Sequence, residues 1–202
     1  MALEPGRKIV ASRRRLTLDE AVDLTLTVRP AVVCIDSPSG WSISGRSRLA
    51  ERELARLGIQ SYRTGPDPGD HPFYRWMRMG FEIYMRLAAA YPLYRGGDPS
   101  QRDAEVFPHA TACLLAGRQR EPRTSKHDFR RQVLRQFGVD AATLRTPDQI
   151  DAALAALTGL IALERGHCAV GDPNEGVILL PVRHLPPTPL AHEIHEVAGR
   201  RR

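Results

Sequence analysis

The chain has 202 residues, a formal net charge of +6 and a pI near 9.7. This length suffices for one domain with a full hydrophobic core, so a second domain is not required. A hydrophobic content of 42% and a charged content of 26% are ordinary for a globular protein. No apolar run approaches the roughly 20 residues of a membrane helix, and residues 1–15 lack the apolar core of a signal peptide. We therefore expect a cytoplasmic protein that does not span a membrane.

Arginine carries nearly all of the positive charge, because Lys8 and Lys126 are the only lysines. The guanidinium fork matches phosphate geometry, so the charge favours an anionic partner such as nucleic acid. The alternative is that the arginine enrichment reflects genomic base composition. The three cysteines are far apart and form no CxxC motif, so we expect reduced core residues, with no disulfide and no zinc site.

The first part of the chain predicts an edge strand, a helix and a buried strand. Residues 6–11 form a short strand candidate with polar surroundings. Thr17 and Glu20 form a capping box that begins a helix, and Pro30 marks its end. Residues 31–35 are rich in β-branched side chains and predict a strand buried on both faces. A helix followed by a buried strand indicates a parallel α/β sheet.

The middle of the chain predicts two helices separated by a loop. Residues 46–57 form a charged helix that ends at Gly58, and residues 58–72 are rich in Gly and Pro and predict a loop. Residues 72–91 predict a longer helix. One face of it carries apolar side chains, which we interpret as core, with a base-stacking platform as the alternative: Phe73, Trp76, Met77, Phe81, Tyr84 and Ala88.

The last part predicts alternating short elements and a tail. Residues 104–107 predict a strand, residues 110–116 a helix, and residues 126–137 a helix capped by Ser125. Thr146 and Gln149 form a second capping box, which begins a helix ending near Gly166. Residues 171–176 predict a turn and residues 177–182 a final strand. Residues 183–202 are Pro-rich and basic and predict a flexible tail. Within it, His192 and His195 are one residue closer than the two histidines of the zincin motif HExxH, so they do not predict a zinc site.

Three carboxylates stand at the edges of these elements. Asp36 follows the buried strand, Glu105 lies in the short strand, and Asp151 is in the first turn of the long helix, above a stripe of small residues. Oxygen ligands from separate elements suit Mg²⁺ or Mn²⁺, and two such ions can hold the attacking and leaving oxygens of a phosphodiester. The alternatives are that Asp36 caps a turn and that Asp148 and Asp151 favour the positive helix N-terminus.

Three arginines follow the turn after Asp36, and we consider them as contacts for a phosphate backbone. They are Arg46, Arg48 and Arg52. The alternative is an exposed, charged helix face that pairs with Glu51.

The order and spacing of several motifs resemble a known family over roughly residues 6–182. It is the bacterial and archaeal domain-of-unknown-function family predicted to be RNase H-like nucleases. The motifs are Val-Val-Cys-Ile-Asp-Ser-Pro-Ser-Gly at 32–40, Gly-Arg at 45–46 with Glu-Arg-Glu-Leu at 51–54, Glu-Val-Phe-Pro-His at 105–109, Lys126, Asp-Gln-Ile-Asp-Ala at 148–152 and Gly-Asp-Pro-Asn-Glu-Gly-Val-Ile at 171–178. Lys126 joins the arginines as a candidate nucleic-acid contact.

The resemblance implies an RNase H-like fold, in which helices flank a mixed five-stranded sheet and a carboxylate cluster binds Mg²⁺ or Mn²⁺. It matches Asp36 to the acid at the end of the fourth strand, Asp151 to the acid on the last helix, and Glu105 to a Glu-Val-x-Pro motif. Since the strand is predicted to begin near Glu105, a parallel arrangement would place Glu105 at the end of the sheet opposite Asp36.

The chain departs from the family pattern at its N-terminus. Such proteins open with a strand that carries a Gly-x-Asp motif, and no such motif precedes Ile9. We therefore expect an RNase H-like domain over residues 6–182 that is truncated at its N-terminus, with an exposed sheet edge that favours self-association. The leading functional hypothesis is a metal-dependent nuclease, and the alternatives are a non-catalytic nucleic-acid-binding module and a degenerate family member.

Overall fold

A computed structural model describes residues 1–43 and 45–191. Most of the predicted tail, including His192 and His195, lies outside the described residues. Within the described part, the elements in chain order are β1 (Ala2–Leu3), β2 (Ile9–Ala11), α1 (Leu18–Val28), β3 (Val33–Ile35), α2 (Leu49–Arg56), a 3₁₀ turn (Pro72–Tyr74), α3 (Arg75–Leu87), β4 (Asp103–Glu105), α4 (Pro108–Ala116), α5 (Lys126–Gln136), α6 (Pro147–Arg165), β5 (Cys168–Asp172) and β6 (Gly176–Leu180).

The main sheet is mixed and has the strand order β3-β4-β6-β5. Strands β3, β4 and β6 are parallel, and β5 runs antiparallel to β6. The predicted mixed α/β class is confirmed. The expected five-stranded sheet is not found among the described residues, because the main sheet has four strands while β1 and β2 form a separate antiparallel pair.

The register of β4 changes the predicted position of Glu105. The strand begins at Asp103 and ends at Glu105, which pairs with Ile35 on β3. Because the two strands are parallel, Glu105 and Asp36 lie at the same edge of the sheet. The prediction that Glu105 lies at the opposite edge is therefore wrong, since the strand was expected to start where it actually ends.

The predicted capping boxes form as hydrogen-bonded pairs. Thr17 Oγ1 accepts from the Glu20 backbone N–H at 3.2 Å, and Glu20 Oε2 accepts from the Thr17 N–H at 2.8 Å. The same reciprocal pair forms between Thr146 and Gln149 at the start of α6. These contacts satisfy backbone donors that the first helical turn leaves free, which confirms both predicted helix starts.

Helix α6 packs very closely against the sheet. A Cβ atom added at Gly159 would lie 2.7 Å from Val32 Cγ1 and 2.8 Å from Cys34 Sγ, so only glycine fits. One residue earlier, Thr158 Oγ1 lies 2.7 Å from Thr111 Oγ1 on α4. The predicted stripe consists of Asp151, Ala155, Thr158 and Ala162, and it does not include Gly159, which makes this close approach. The approach brings Asp151, about two turns earlier, toward the sheet's edge.

Two burial predictions need correction. Strand β3 is half-buried because it forms the edge of the sheet, although its side chains pack on both faces. Val33 and Ile35 contact one buried cluster and Cys34 contacts another. On α3, Met77 and Tyr84 belong to the core as predicted, but Phe73 and Trp76 at the start of the segment are exposed. Across residues 1–43 and 45–191, no helix combines the length and apolarity that crossing a bilayer requires.

Candidate functional site

A cavity of about 340 Å³ opens at the carboxyl ends of β3 and β4. In open α/β sheets this edge is where ligands usually bind. Asp36, Glu105 and Asp151 all line the cavity, so the structure brings the three predicted acids together. Within the described residues, however, no three His, Cys, Asp or Glu side chains are arranged to hold a metal ion. The reason lies in the partners that two of these acids already have.

Asp36 is held at the mouth of the cavity by the turn that ends β3. The hydroxyl of Tyr84 donates to the Ser37 carbonyl at 2.9 Å. At Gly80, an added Cβ would lie 2.0 Å from Ser37 Oγ, so α3 presses directly on this turn. Asp36 itself accepts no hydrogen bond from the described residues, and a turn-capping role therefore has no support in the structure.

The environment of Asp36 disfavours its negative charge, although the residue is exposed to solvent. Water reaches the side chain through the cavity, but the surrounding protein still desolvates the carboxyl. This burial raises the pKa of Asp36 to about 7, and the negative charge of Asp151 adds to the effect while Arg130 opposes it. A carboxyl group with a pKa near neutrality and no hydrogen-bond partner can exchange a proton or accept a cation.

Glu105 is bound on both oxygens by Arg48. The distances are 2.8 Å from Arg48 Nη1 to Glu105 Oε2 and 2.5 Å from Nη2 to Oε1. Glu105 Oε2 also accepts from the N–H of Ser39 at 2.9 Å and from its hydroxyl at 3.1 Å. Because four donors occupy this carboxylate, Glu105 is a poor candidate for a metal ligand in this arrangement.

Arg48 lies in the interior and not on an exposed helix face. Its side chain is 1% exposed, and its Nε donates to Glu51 Oε1 at 3.1 Å. Burial would lower the pKa of Arg48, but the hydrogen bonds and charges of Glu105 and Glu51 outweigh it and raise the pKa. The predicted contact of Arg48 with a phosphate backbone is therefore wrong for this structure, since the guanidinium is inaccessible. The predicted alternative, an exposed charged helix face paired with Glu51, is right in the pairing of Arg48 with Glu51 and wrong in its exposure, because both side chains are buried.

Two further buried acids, Glu51 and Glu175, hold the segment between β3 and α2. The sequence suggested Glu51 only as a partner of the nearby arginines and did not single out Glu175. Glu51 Oε2 accepts from Ser47 Oγ at 2.8 Å and from the Thr64 N–H at 2.8 Å. Glu175 accepts from Ser42 Oγ and the Ile43 N–H, both at 2.8 Å, and from the Leu49 N–H at the start of α2 at 2.9 Å. No local signal in the sequence predicts these bonds, because the partners of Glu175 are more than 120 residues away.

Asp151 is paired with Arg130 on α5, a partner that the sequence also did not predict. Arg130 Nη1 lies 2.5 Å from Oδ1 and 2.6 Å from Oδ2 of Asp151. Burial raises the pKa of Asp151, and the positive charge of Arg130 opposes this. Both side chains retain some exposure to the cavity. Asp148 is exposed in the first turn of α6, as the helix-terminus alternative predicts.

The remaining candidate contacts for nucleic acid lie on the surface. Arg46, Arg52 and Lys126 are exposed, and Arg52 Nη1 donates to the Ser47 carbonyl at 2.5 Å. Three aromatic residues line the cavity beside the acids: Tyr62, Trp76 and Phe107. Tyr62 lies in the predicted loop, where no pattern in the sequence selects it.

The donor set fits one small divalent cation better than a larger cluster. Mg²⁺ keeps several of its waters and is commonly held by one or two carboxylates together with a substrate phosphate. Asp36 offers a carboxylate with no hydrogen-bond donor among the described residues, and Asp151 offers one that is paired with a partly exposed arginine. Asp36 and Asp151 therefore fit such an ion, whereas Glu105 does not.

Residues 7–175 match the family described as "Protein of unknown function (DUF429)". No curated protein and no solved structure matches the chain. Because the match spans most of the 202 residues, the chain belongs to this family of unknown function.

Proposed function

We propose that the chain is a metal-dependent phosphodiesterase of RNase H-like fold that acts on nucleic acid. Asp36 and Asp151 would hold Mg²⁺ or Mn²⁺. The observation that carries the proposal is the position of Asp36: its carboxyl opens into the cavity beside Asp151 and accepts no hydrogen bond from the described residues. The predominance of arginine among the positive charges supports a phosphate-bearing substrate.

Each acid has a separate role in this proposal. When bound, the ion would polarise a phosphoryl oxygen and make a bound water more acidic. Asp36 must be ionised to act as a ligand, so a cation would compete with the proton that a pKa of about 7 retains below neutral pH. Arg130 pairs with Asp151 and lines the same cavity, so it would be available to a phosphate oxygen of a bound substrate. Glu105 binds both Ser39 and Arg48 and thereby positions the segment after β3.

The test is cleavage of fluorescent RNA and DNA oligonucleotides with Mg²⁺ or Mn²⁺, comparing the native chain with Asp36→Asn. We expect activity that rises with pH through about 7, and a loss of at least a hundredfold in Asp36→Asn, since the variant keeps the shape of the site but lacks a charged ligand. Asp148→Asn is the matched control, because it removes an exposed acid three residues before Asp151 on α6 that lines a different cavity. Full cleavage by Asp36→Asn would show that the assignment is wrong.

A second candidate is a non-catalytic module that binds nucleic acid. It is favoured by the two arginines, Arg48 and Arg130, which already neutralise two of the three predicted acids. This alternative predicts binding that weakens steeply with salt and no cleavage with either cation. The oligonucleotide assay separates the two, because it reports binding and cleavage independently.

A further inference from the structure

Three exposed aromatic side chains form a continuous patch beside the cavity. Tyr62 is 70%, Phe73 52% and Trp76 36% exposed. The ring of Tyr62 lies 6.3 Å from that of Phe73 and 6.2 Å from that of Trp76, measured between centroids. Tyr62 and Trp76 also line the cavity that holds Asp36 and Asp151. The aromatic patch and the candidate site are therefore one continuous surface.

The patch rests on a well-connected support. Phe73 packs edge-on against Tyr74 at 5.0 Å, and Tyr74 packs in the same way against Trp41 at 5.6 Å. Near Tyr62, the N–H of Thr64 is bound to the buried Glu51. Rings that are held in place before a ligand arrives lose less freedom when it binds.

The loop that carries Tyr62 is fixed at its other end as well. Arg78 Nη2 on α3 donates to Asp67 Oδ1 at 2.6 Å and to the Gly69 carbonyl at 2.8 Å. The same guanidinium lies over the ring of Trp41, 5.4 Å from its centroid. The loop is therefore anchored to α2 through Thr64 and to α3 through Asp67 and Gly69.

The charge around the patch suits a polyanion. The side chains of Arg63 and Arg75, next in sequence to Tyr62 and Trp76, are exposed and form no hydrogen bond or ion pair with the described residues. Surfaces that combine free cations with exposed rings bind single-stranded nucleic acid, since the cations meet phosphates and each base stacks on a ring. A duplex keeps its bases stacked within the helix, so their faces are unavailable to these rings.

We infer that the aromatic patch stacks on unpaired bases of single-stranded nucleic acid. The rings would thereby set a neighbouring phosphodiester in the cavity beside Asp36. The stacking stands on the aromatic patch alone, whereas the placement of the phosphodiester rests on the proposed function. Tyr62 and Trp76 are positioning residues in this scheme, because they contact the bases and not the bond that breaks.

The test is fluorescence anisotropy with labelled oligothymidylate and oligouridylate in EDTA, so that no cleavage can occur. Trp76→Ala and Tyr62→Ala should each weaken binding roughly 5- to 150-fold, the range expected for the loss of one base–ring stack. Trp76→Phe should retain most of the affinity. Met85→Ala is the control, because Met85 is 66% exposed near the other end of α3 and lies outside the patch.

Several outcomes would overturn the inference: no binding of either single strand by the native chain, equal binding of a duplex of the same length, or unchanged affinity in both alanine variants. Cleavage assays separate this inference from the proposed function. If the native chain binds through Trp76 but never cleaves, the proposed function fails and the stacking stands. If it cleaves single strands and both alanine variants cleave them equally well, the stacking fails and the proposed function stands.

Discussion

The buried ion-pair network around Arg48 makes a quantitative prediction for Arg48→Met. Arg48 is 1% exposed and binds Glu105 and Glu51, which are themselves buried. Methionine fills similar space but leaves both carboxylates without their cation. Removing one member of a buried ion pair typically costs about 3–5 kcal/mol, because the remaining charge is left desolvated. We expect a loss of that size at pH 8, a large part of the roughly 5–15 kcal/mol that stabilises a typical domain.

Urea denaturation at pH 8 measures this loss. Arg56→Met is the control, since Arg56 is exposed at the end of the same helix and its loss should cost less than about 1 kcal/mol. If Arg48→Met unfolds at the same urea concentration as this control, the charge-compensation argument is refuted.

Two further variants test the turn and the sheet. Gly80→Ala places a Cβ 2.0 Å from Ser37 Oγ. It should lower the free energy of unfolding by about 1–3 kcal/mol, as measured by urea denaturation, and lower any cleavage at least tenfold. Gly6→Ala is the control, because an added Cβ there has open space around it and should have neither effect. Asp103 is fully buried, neither of its oxygens has a hydrogen-bond partner in the described structure, and burial raises its pKa to about 7. The folded native chain therefore binds one more proton than the unfolded chain between about pH 4 and 7, and it loses stability as the pH rises through that window. The stability of Asp103→Asn relative to the native chain should therefore rise by roughly 1–3 kcal/mol from pH 5 to pH 8, as measured by paired denaturation curves. A difference that does not change with pH would contradict this.

The elements that the sequence predicted correctly depend on neighbouring residues. The helix start at Thr17 was predictable because the cap and its partner Glu20 lie three positions apart and need no distant contact. Strand β5 (Cys168–Asp172) was missed, since it contains a glycine and an aspartate and shows no alternation of apolar and polar residues. Its strand conformation comes from five antiparallel pairings with β6, a property of the hairpin and not of the segment alone.

The residues of the candidate site also differ in whether the neighbouring sequence could predict them. Asp36 and Asp151 could be selected because each stands at the edge of a locally predictable element. The partner of Glu105 could not, since Arg48 is 57 positions away and its place in a charged helix predicted an exposed side chain. The pairing of Asp151 with Arg130, 21 positions apart on another helix, depends on how α5 and α6 pack. Only the fold brings these charges together, so the sequence overestimated the number of free acids.

The balance of charges around the cavity bears on how many ions the proposed function requires. Four carboxylates lie there, those of Asp36, Glu51, Glu105 and Asp151, against the two guanidinium groups of Arg48 and Arg130. The excess is two negative charges when Asp36 is ionised, and the pKa of about 7 at Asp36 reflects the cost of that state. One divalent cation would remove the excess, whereas two would leave a positive surplus that only substrate phosphates could offset. The cavity therefore favours a one-ion mechanism over the two-ion arrangement that three free acids would suggest.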